Sequence, residues 1–394
     1  MEKITFCIPS KSNLRYLKTC IPSIRKNSYR DDHDIIIFVD SDEDGTVKWL
    51  EQVKDKYNLS YFVNPNLGES LFGIGKAYDF CIEHSKTDIF IIFHADMMLG
   101  KNADINAYNH LKSKTVVCST RVEPPIHPNN GEKIISDFGM WPEEFKEEEF
   151  NSYVESQLDE TKTTNGIFAP WMMYKKEYLE IGGHDPILKS CREDSDIFNR
   201  MKLAEFEFIQ PWNSLVYHLT GRGAGSFDGD TERHLAWQKE MNNSTKEFIR
   251  KWGSNVRHTD LMEPIVPPKY NIAFVVDNCN LQLLEILEPM CDRIYVDEVF
   301  QIGRSQDYIE AFQESTSFDL QKRVLTKQYN DPEGENDIIV HFDANKFTQQ
   351  SFYFLHQIPD IIKGSGEVGL FELDIFTINI INLQEYQNQL IKIS

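Results

Sequence analysis

Ile89-Phe90-Ile91-Ile92-Phe93-His94-Ala95-Asp96 is the stretch whose reading decides the fold. Its five consecutive apolar residues read as a strand buried on both faces, as in a sheet covered by helices. The run ends at His94-Ala95-Asp96, so an acid stands at the strand's C-terminal mouth. Upstream the pattern recurs. Ile4–Ile8 and Ile35–Val39 are apolar strands, Tyr61–Val63 is a short one, and Leu14–Lys26, Thr46–Tyr57 and Ile74–His84 have helical spacing between them. Apolar strands alternating with amphipathic helices predict an α/β fold with a doubly wound, mostly parallel sheet. Ligands bind such sheets beyond the C-terminal ends of the strands. That rule singles out Pro9-Ser10-Lys11, Asp40 and His94-Ala95-Asp96.

Further along, the pattern loosens and then restarts. Residues 116–252 are irregular, with an acidic stretch at 143–149, a glycine pair at Gly182-Gly183 and a Gly-rich loop at 219–230, whose Gly221–Gly225 core reads as a lid or as an ordinary flexible connection. Glu263-Pro264-Ile265-Val266-Pro267-Pro268 reads as a linker, since clustered prolines end helices. After it come strands at Ile272–Val276, Arg293–Val296 and Ile338–Phe342, a helix at Leu281–Met290 and a strand or hairpin at Gly369–Ile381. A chain of 394 residues exceeds the roughly 250–300 at which one core stops growing. Two domains are therefore expected, residues 1–262 and a smaller α/β accessory domain at 269–394, joined by the linker 263–268. Gly364-Ser365-Gly366-Glu367-Val368-Gly369 matches G-x-G-x-x-G but precedes a strand instead of opening a helix, so it reads as a turn.

Composition excludes several function classes. The formal net charge of −21 argues against nucleic acid or an anionic membrane as a partner held by bulk attraction. No apolar run approaches bilayer length, and the opening residues lack the apolar core of a signal peptide. The seven cysteines are odd in number and form no C-x-x-C pair, the pattern of reduced thiols. A cytoplasmic protein is expected, with peripheral membrane attachment and homo-oligomer formation left open.

The residues that carry chemistry stand at strand and helix ends. Asp40 follows one apolar strand and Asp96 another. His218 follows Leu215-Val216-Tyr217, and Asp194 lies in Cys191-Arg192-Glu193-Asp194-Ser195-Asp196. Ser190 and Glu193 fit the S-x-x-E capping box, which predicts Asp194 in the first turn of a helix. An Asp and a His at strand ends suit a divalent cation whose shell a diphosphate and water complete. Each residue also has a plain structural reading: a turn or cap for Asp96, a helix-dipole partner for Asp194, a satisfied structural histidine for His218.

Taken in order, residues 1–250 resemble the family 2 glycosyltransferases of GT-A fold. The resemblance rests on Ile8-Pro9-Ser10, on Phe38–Thr46, on Asn66-Leu67-Gly68 and on Gly75-Lys76-Ala77-Tyr78-Asp79. It also rests on Phe93-His94-Ala95-Asp96 at the D-x-D position, on Gly182-Gly183-His184-Asp185 followed by Glu193-Asp194, and on Tyr217-His218. The first Asp of D-x-D is His94 here, which alters a donor contact more than the metal site. The resemblance implies a metal-dependent transfer of sugar from a nucleotide-diphospho-sugar, with inversion, to an acceptor hydroxyl on a glycan, lipid-linked or protein acceptor. It implies Asp194 as catalytic base, Asp96 and His218 as ligands of Mn²⁺ or Mg²⁺, and Pro9, Ser10, Asp40, Lys76 and His94 as donor-binding residues. Two alternatives remain: a non-catalytic nucleotide-sugar or glycan-binding module, and a nucleotidyltransferase, which the absence of glycine from Ile8–Asn13 disfavours.

Overall fold

The computed structural model describes residues 1–158, 160–221, 231–297 and 302–393. The chain divides into two compact units, Met1–Glu240 with His258–Ile265 and Lys392–Ser394, and Met241–Arg257 with Val266–Ile391. One crossing between them, Ile265 to Val266, falls within the expected linker. Another divides the helix Thr231–Trp252.

In the first unit the strands are β1 (Thr5–Lys11), β2 (Asp34–Ser41), β3 (Leu59–Val63), β4 (Ile89–Ile92), β5 (Met97–Leu99), β6 (Thr115–Cys118), β7 (Thr120–Glu123), β8 (Ile134–Ile135), β9 (Thr163–Thr164), β10 (Trp171–Tyr174), β11 (Glu207–Pro211) and β12 (Leu215–His218). The main sheet has the order β3-β2-β1-β4-β10-β6-β11-β9, and a smaller one the order β5-β12-β7-β8. β1, β2, β3 and β4 run parallel, and β10 runs antiparallel to β4. Every residue of β4 is buried, as a strand between two neighbours with both faces covered requires. The helix Leu14–Asn27 turns Leu17, Ile21 and Ile24 into the core. The helix Ile74–His84 buries Ala77, Tyr78, Cys81 and Ile82, the i, i+3, i+4 stripe of an amphipathic helix. The expected helix from Thr46 stops at Val53, and the acidic stretch divides between a short 3₁₀ turn, Pro142–Glu144, and the helix Glu147–Ser156.

The second unit holds one sheet of six strands: β13 (Ile272–Asp277), β14 (Arg293–Val296), β15 (Val324–Thr326), β16 (Ile338–Asp343), β17 (Gly369–Leu373) and β18 (Phe376–Ile380). Its order is β15-β14-β13-β16-β18-β17. β13 to β16 are parallel and β18 is antiparallel to β16. This repeats the order and directions of β3-β2-β1-β4-β10. The helix from Leu281 ends at Leu287 and passes into a 3₁₀ turn. The expected strand or hairpin near the C-terminus is the hairpin β17–β18. The G-x-G-x-x-G stretch runs from the end of the helix Ile358–Ser365 to the first residue of β17, with Gly366 as the left-handed cap at φ 62°.

Candidate active site

The acid after β4 meets its partners through strand pairing. The chain turns at His94, with Met97 N donating to His94 O at 3.2 Å, and enters β5. β5 pairs antiparallel with β12, and Met97 lies opposite His218. Asp96 therefore lies beside His218, and Leu219 N donates to Asp96 O at 3.1 Å. β7 runs parallel to β12 with Val122 opposite Tyr217, which brings Glu123 up to the same histidine. These local rules gather ligand atoms of His94, Asp96 and His218 within 4.8 Å of one another. His218 Nε2 is 3.6 Å and His94 Nδ1 4.0 Å from Asp96 Oδ1.

The chemistry of this trio suits a divalent cation. Burial, then the nearby His218 and Arg121, lowers the His94 pKa to about 4 against the pull of Asp96, so the ring is neutral at pH 7. His218 Nδ1 lies 2.8 Å from Glu123 Oε1. A hydrogen bond from Nδ1–H to that carboxylate leaves Nε2 as a lone pair facing Asp96. Burial pushes the Glu123 carboxyl up, but His218, Arg121 and Lys133 outweigh it and hold the group well below the usual carboxylate range. Arg121 Nη1 and Lys133 Nζ sit 2.8 and 3.0 Å from its oxygens. Two imidazoles and a carboxylate offer a divalent transition-metal cation mixed nitrogen and oxygen ligands.

The trio faces a cavity of about 350 Å³ that is also lined by Pro9, Ser10 and Asp40, within the size range of small-ligand pockets. Five expected donor or metal residues thus share one cavity with His94. Asp40 also organises its wall: Oδ1 accepts from Asn64 Nδ2 at 2.8 Å and Phe72 N at 2.7 Å, and Oδ2 from Gly73 N at 3.1 Å. Lys76 is exposed and does not line the cavity. Its helix turns Ala77 and Tyr78 inward instead. The expected lid lies largely outside the described residues; only Gly221 of Gly221–Gly225 is described.

A second cavity, of about 280 Å³, is lined by Tyr78, His94, Glu193 and Asp194 among others. Asp194 stands in the first turn of the helix Glu193–Leu203. The expected capping box does not form. The residue before the helix is Arg192, left-handed at φ 71°, and Ser190 Oγ donates to Glu240 Oε2 at 2.8 Å. What positions the helix is a buried ion pair. Arg200 Nε donates to Asp196 Oδ2 at 2.8 Å, and its other nitrogens donate to Ile181 O and Gly183 O. The glycine pair is thereby tied to the Asp194 helix. Gly183 has φ 72°, and a Cβ there would stand 3.1 Å from Asp79 Oδ2, so glycine is required. Asp79 accepts from His184 N at 3.1 Å and from the Tyr178 hydroxyl. Asp194 Oδ1 accepts from Ser195 N at 2.6 Å. Beside it, burial and then the Asp194 charge raise the Glu193 pKa to about 8, so Glu193 keeps its proton at neutral pH.

Residues 5–182 match the family model for glycosyl transferase family 2. Over those residues the chain is similar to the family 2 glycosyltransferases. Among solved structures, the chain is similar to TarS from S. aureus in complex with UDP, at 13% identity over 55% of this chain and 60% of that one, TM-score 0.40. It is also similar to GalNAc-T7 with UDP, GalNAc and Mn²⁺, at 14% identity, 64% and 48% coverage, TM-score 0.44. A third is the mannosyltransferase PcManGT from Pyrobaculum calidifontis in complex with GDP-Man and Mn²⁺, at 15% identity, 63% and 63% coverage, TM-score 0.42. The chain spans less than two thirds of each of these structures' own chains. Comparison with curated protein sequences gives no match. Among the described residues, no helix is long and apolar enough to cross a membrane, and all seven cysteines are free.

Sequence reasoning missed Glu123, which meets His218 Nδ1, its partners Arg121 and Lys133, and Tyr78, which lines both cavities. The first three carry no local signal: the pairing of β7 with β12 brings Glu123 to the histidine, and the pairing of β8 with β7 brings up Lys133. Tyr78 had one: it lies on the apolar stripe of its helix, and Lys76 does not.

Proposed function

We propose that the first unit transfers a sugar from a nucleotide-diphospho-sugar to an acceptor hydroxyl, with Asp194 as general base and a divalent cation, Mn²⁺ or Mg²⁺, at Asp96, His218 and His94. The observation that carries this reading is the clustering of that trio in the cavity lined by Ser10 and Asp40, while Asp194 lines the neighbouring one. When bound, the cation neutralises charge on the departing diphosphate. Ser10 and Asp40 hold the nucleoside at the ends of β1 and β2, where doubly wound sheets take nucleotides. Asp194 removes the proton from the acceptor hydroxyl as its oxygen attacks the anomeric carbon. Attack from the face opposite the leaving diphosphate inverts that centre. The acceptor is a hydroxyl of a glycan, lipid-linked or protein molecule, and the second unit serves acceptor binding, partner docking or self-association.

A thermal-shift screen of UDP-glucose, UDP-N-acetylglucosamine, UDP-N-acetylgalactosamine and GDP-mannose, with and without Mn²⁺, tests the reading. A bound donor at 100 times its dissociation constant adds about 2.7 kcal/mol of stability. The reading predicts a shift for at least one donor, larger with Mn²⁺, and release of the nucleoside diphosphate on turnover. Release of a sugar 1-phosphate would indicate nucleotidyl transfer instead. Binding without any turnover would indicate a non-catalytic module.

A further inference from the structure

Three buried side-chain oxygens around the two cavities have no hydrogen-bond partner among the described residues: Ser10 Oγ, Tyr78 Oη and Glu193 Oε2. Leaving a buried polar group unpaired costs about 1–3 kcal/mol, so each asks for a ligand or another explanation. Their positions differ. Ser10 lines only the cavity with Asp96, and Glu193 only the cavity with Asp194. Tyr78 lines both, and is 3% exposed. Its phenol thus belongs both to the cavity of the Asp194 helix and to that of the proposed metal trio.

The ring is rigidly held. It stacks on His184 with centroids 5.9 Å apart and planes at 28°. His184 is fixed in turn by Asp79, at 2.8 Å from Nδ1, and by the Tyr178 hydroxyl at 2.6 Å. Gly75 allows this close approach, since a Cβ there would stand 2.9 Å from His184 Cβ. The contrast between two buried tyrosines is informative: the Tyr178 hydroxyl is satisfied within the protein, and that of Tyr78 is not. A hydroxyl fixed in position without a partner is preorganised for a ligand that supplies one.

We infer that the Tyr78 hydroxyl hydrogen-bonds the sugar being transferred, as a specificity-determining contact at the junction of the donor cavity and the Asp194 cavity. This rests on the glycosyl-transfer reading and deepens it. The group bonded to the diphosphate has to reach from Asp96 toward Asp194, and Tyr78 is the unpaired polar side chain common to both cavities. Burial holds the phenol well above its ordinary pKa, so it meets the sugar as a neutral hydroxyl, able to donate and to accept.

Tyr78→Phe removes the oxygen and keeps the ring. Affinities of wild type and variant are measured by calorimetry with Mn²⁺ present. The ligands are UDP, GDP, UDP-glucose, UDP-N-acetylglucosamine, UDP-N-acetylgalactosamine and GDP-mannose. The expected result is a roughly tenfold loss for the nucleotide-sugar that wild type prefers, with the bare nucleoside diphosphate within about twofold. The melting temperature of the ligand-free variant should equal or exceed that of wild type, because an unpaired hydroxyl has been removed. An unchanged ratio of nucleotide-sugar to nucleotide affinity overturns the Tyr78 contact alone. A lower melting temperature with equal weakening of both ligand types assigns the hydroxyl a structural role and also overturns it. Failure of wild type to bind any of the six overturns the glycosyl-transfer reading, and this contact with it.

Discussion

Glu123→Gln separates two roles that one carboxylate fills. Glu123 is 1% exposed, lies 2.8 Å from His218 Nδ1 and faces Arg121 and Lys133 at 2.8 and 3.0 Å. A glutamine of the same shape has one acceptor oxygen and one donor nitrogen. His218 Nδ1 and Arg121 share Oε1, while Lys133 holds Oε2, so an amide whose oxygen stays with Lys133 turns its nitrogen toward His218 Nδ1. The imidazole then accepts at Nδ1 and carries its proton on Nε2, the atom 3.6 Å from Asp96, and a protonated Nε2 cannot ligate a metal. Loss of such a support for a ligand typically lowers metal affinity 10- to 100-fold, or about 1.4–2.8 kcal/mol. Removing the anion from a buried charge cluster costs about 3–5 kcal/mol of stability. At roughly 2–4 °C per kcal/mol for a unit of this size, the melting temperature should fall by about 6–20 °C. Calorimetric titration of Mn²⁺ with UDP present, at a temperature where the variant remains folded, gives the affinity; a thermal scan gives the stability. Lowered stability with Mn²⁺ affinity within twofold of wild type would refute the orienting role and leave Glu123 as a neutraliser of two cations.

Three further outcomes follow. Asp194→Asn should lower transfer about 10²–10⁴-fold with donor affinity retained; a wild-type rate in a transfer assay would move the base elsewhere. The Glu193 pKa is raised to about 8 from an ordinary 4.5, so the folded chain keeps a proton that the unfolded chain releases, and its stability falls as pH rises from about 4.5 to 8. Glu193→Gln should therefore melt higher than wild type at pH 8, with the gap closing toward pH 5; parallel melting curves across that window would contradict the burial argument. Gly183→Ala forces a side chain into the left-handed region, at about 1–2 kcal/mol, and against Asp79. Its melting temperature should drop by about 2–8 °C, and an unchanged value would show that the loop gives way freely.

Strands buried on both faces were legible because their sequence alone carries the signal: β1, β2 and β4 read as apolar runs bounded by polar turns. The strands of residues 115–123 were not. Thr115, Thr120, Arg121 and Glu123 break the apolar pattern. These residues are buried because the sheet order places β6 and β7 inside, an arrangement no local window contains. The capping-box reading failed for a related reason. Ser190 has a partner fifty residues away in Glu240, so a tertiary contact displaced the local motif. Lys76 was singled out by the family resemblance, yet its helix turns Ala77 and Tyr78 inward. For Asp96 and His218, position at a strand end marked them as candidates, and the pairing of β5 with β12 brings them to one cavity. What makes them a plausible metal site is Glu123, invisible to that rule.

The second unit shows why position alone does not make such a site. Its strands β15-β14-β13-β16-β18 repeat the order and directions of β3-β2-β1-β4-β10, and acids again stand at the strand ends. There, however, the acids are already occupied. Asp277 accepts from Lys327 and from His341, at 2.9 Å for the latter, and Lys327 also reaches Asp297 at 3.1 Å. Asp343 accepts from Asn278 Nδ2 and Asn345 N, both at 3.0 Å. A lysine among these carboxylates supplies the positive charge that a metal would otherwise bring. In the first unit the nearby cations, Arg121 and Lys133, are held by Glu123 instead, which leaves Asp96 facing two imidazoles. Among the described residues, the trio of His94, Asp96 and His218 is the only cluster of three such side chains with metal-binding spacing. The two sheets therefore share a plan, and the difference in their proposed chemistry follows from where each directs its lysines and arginines.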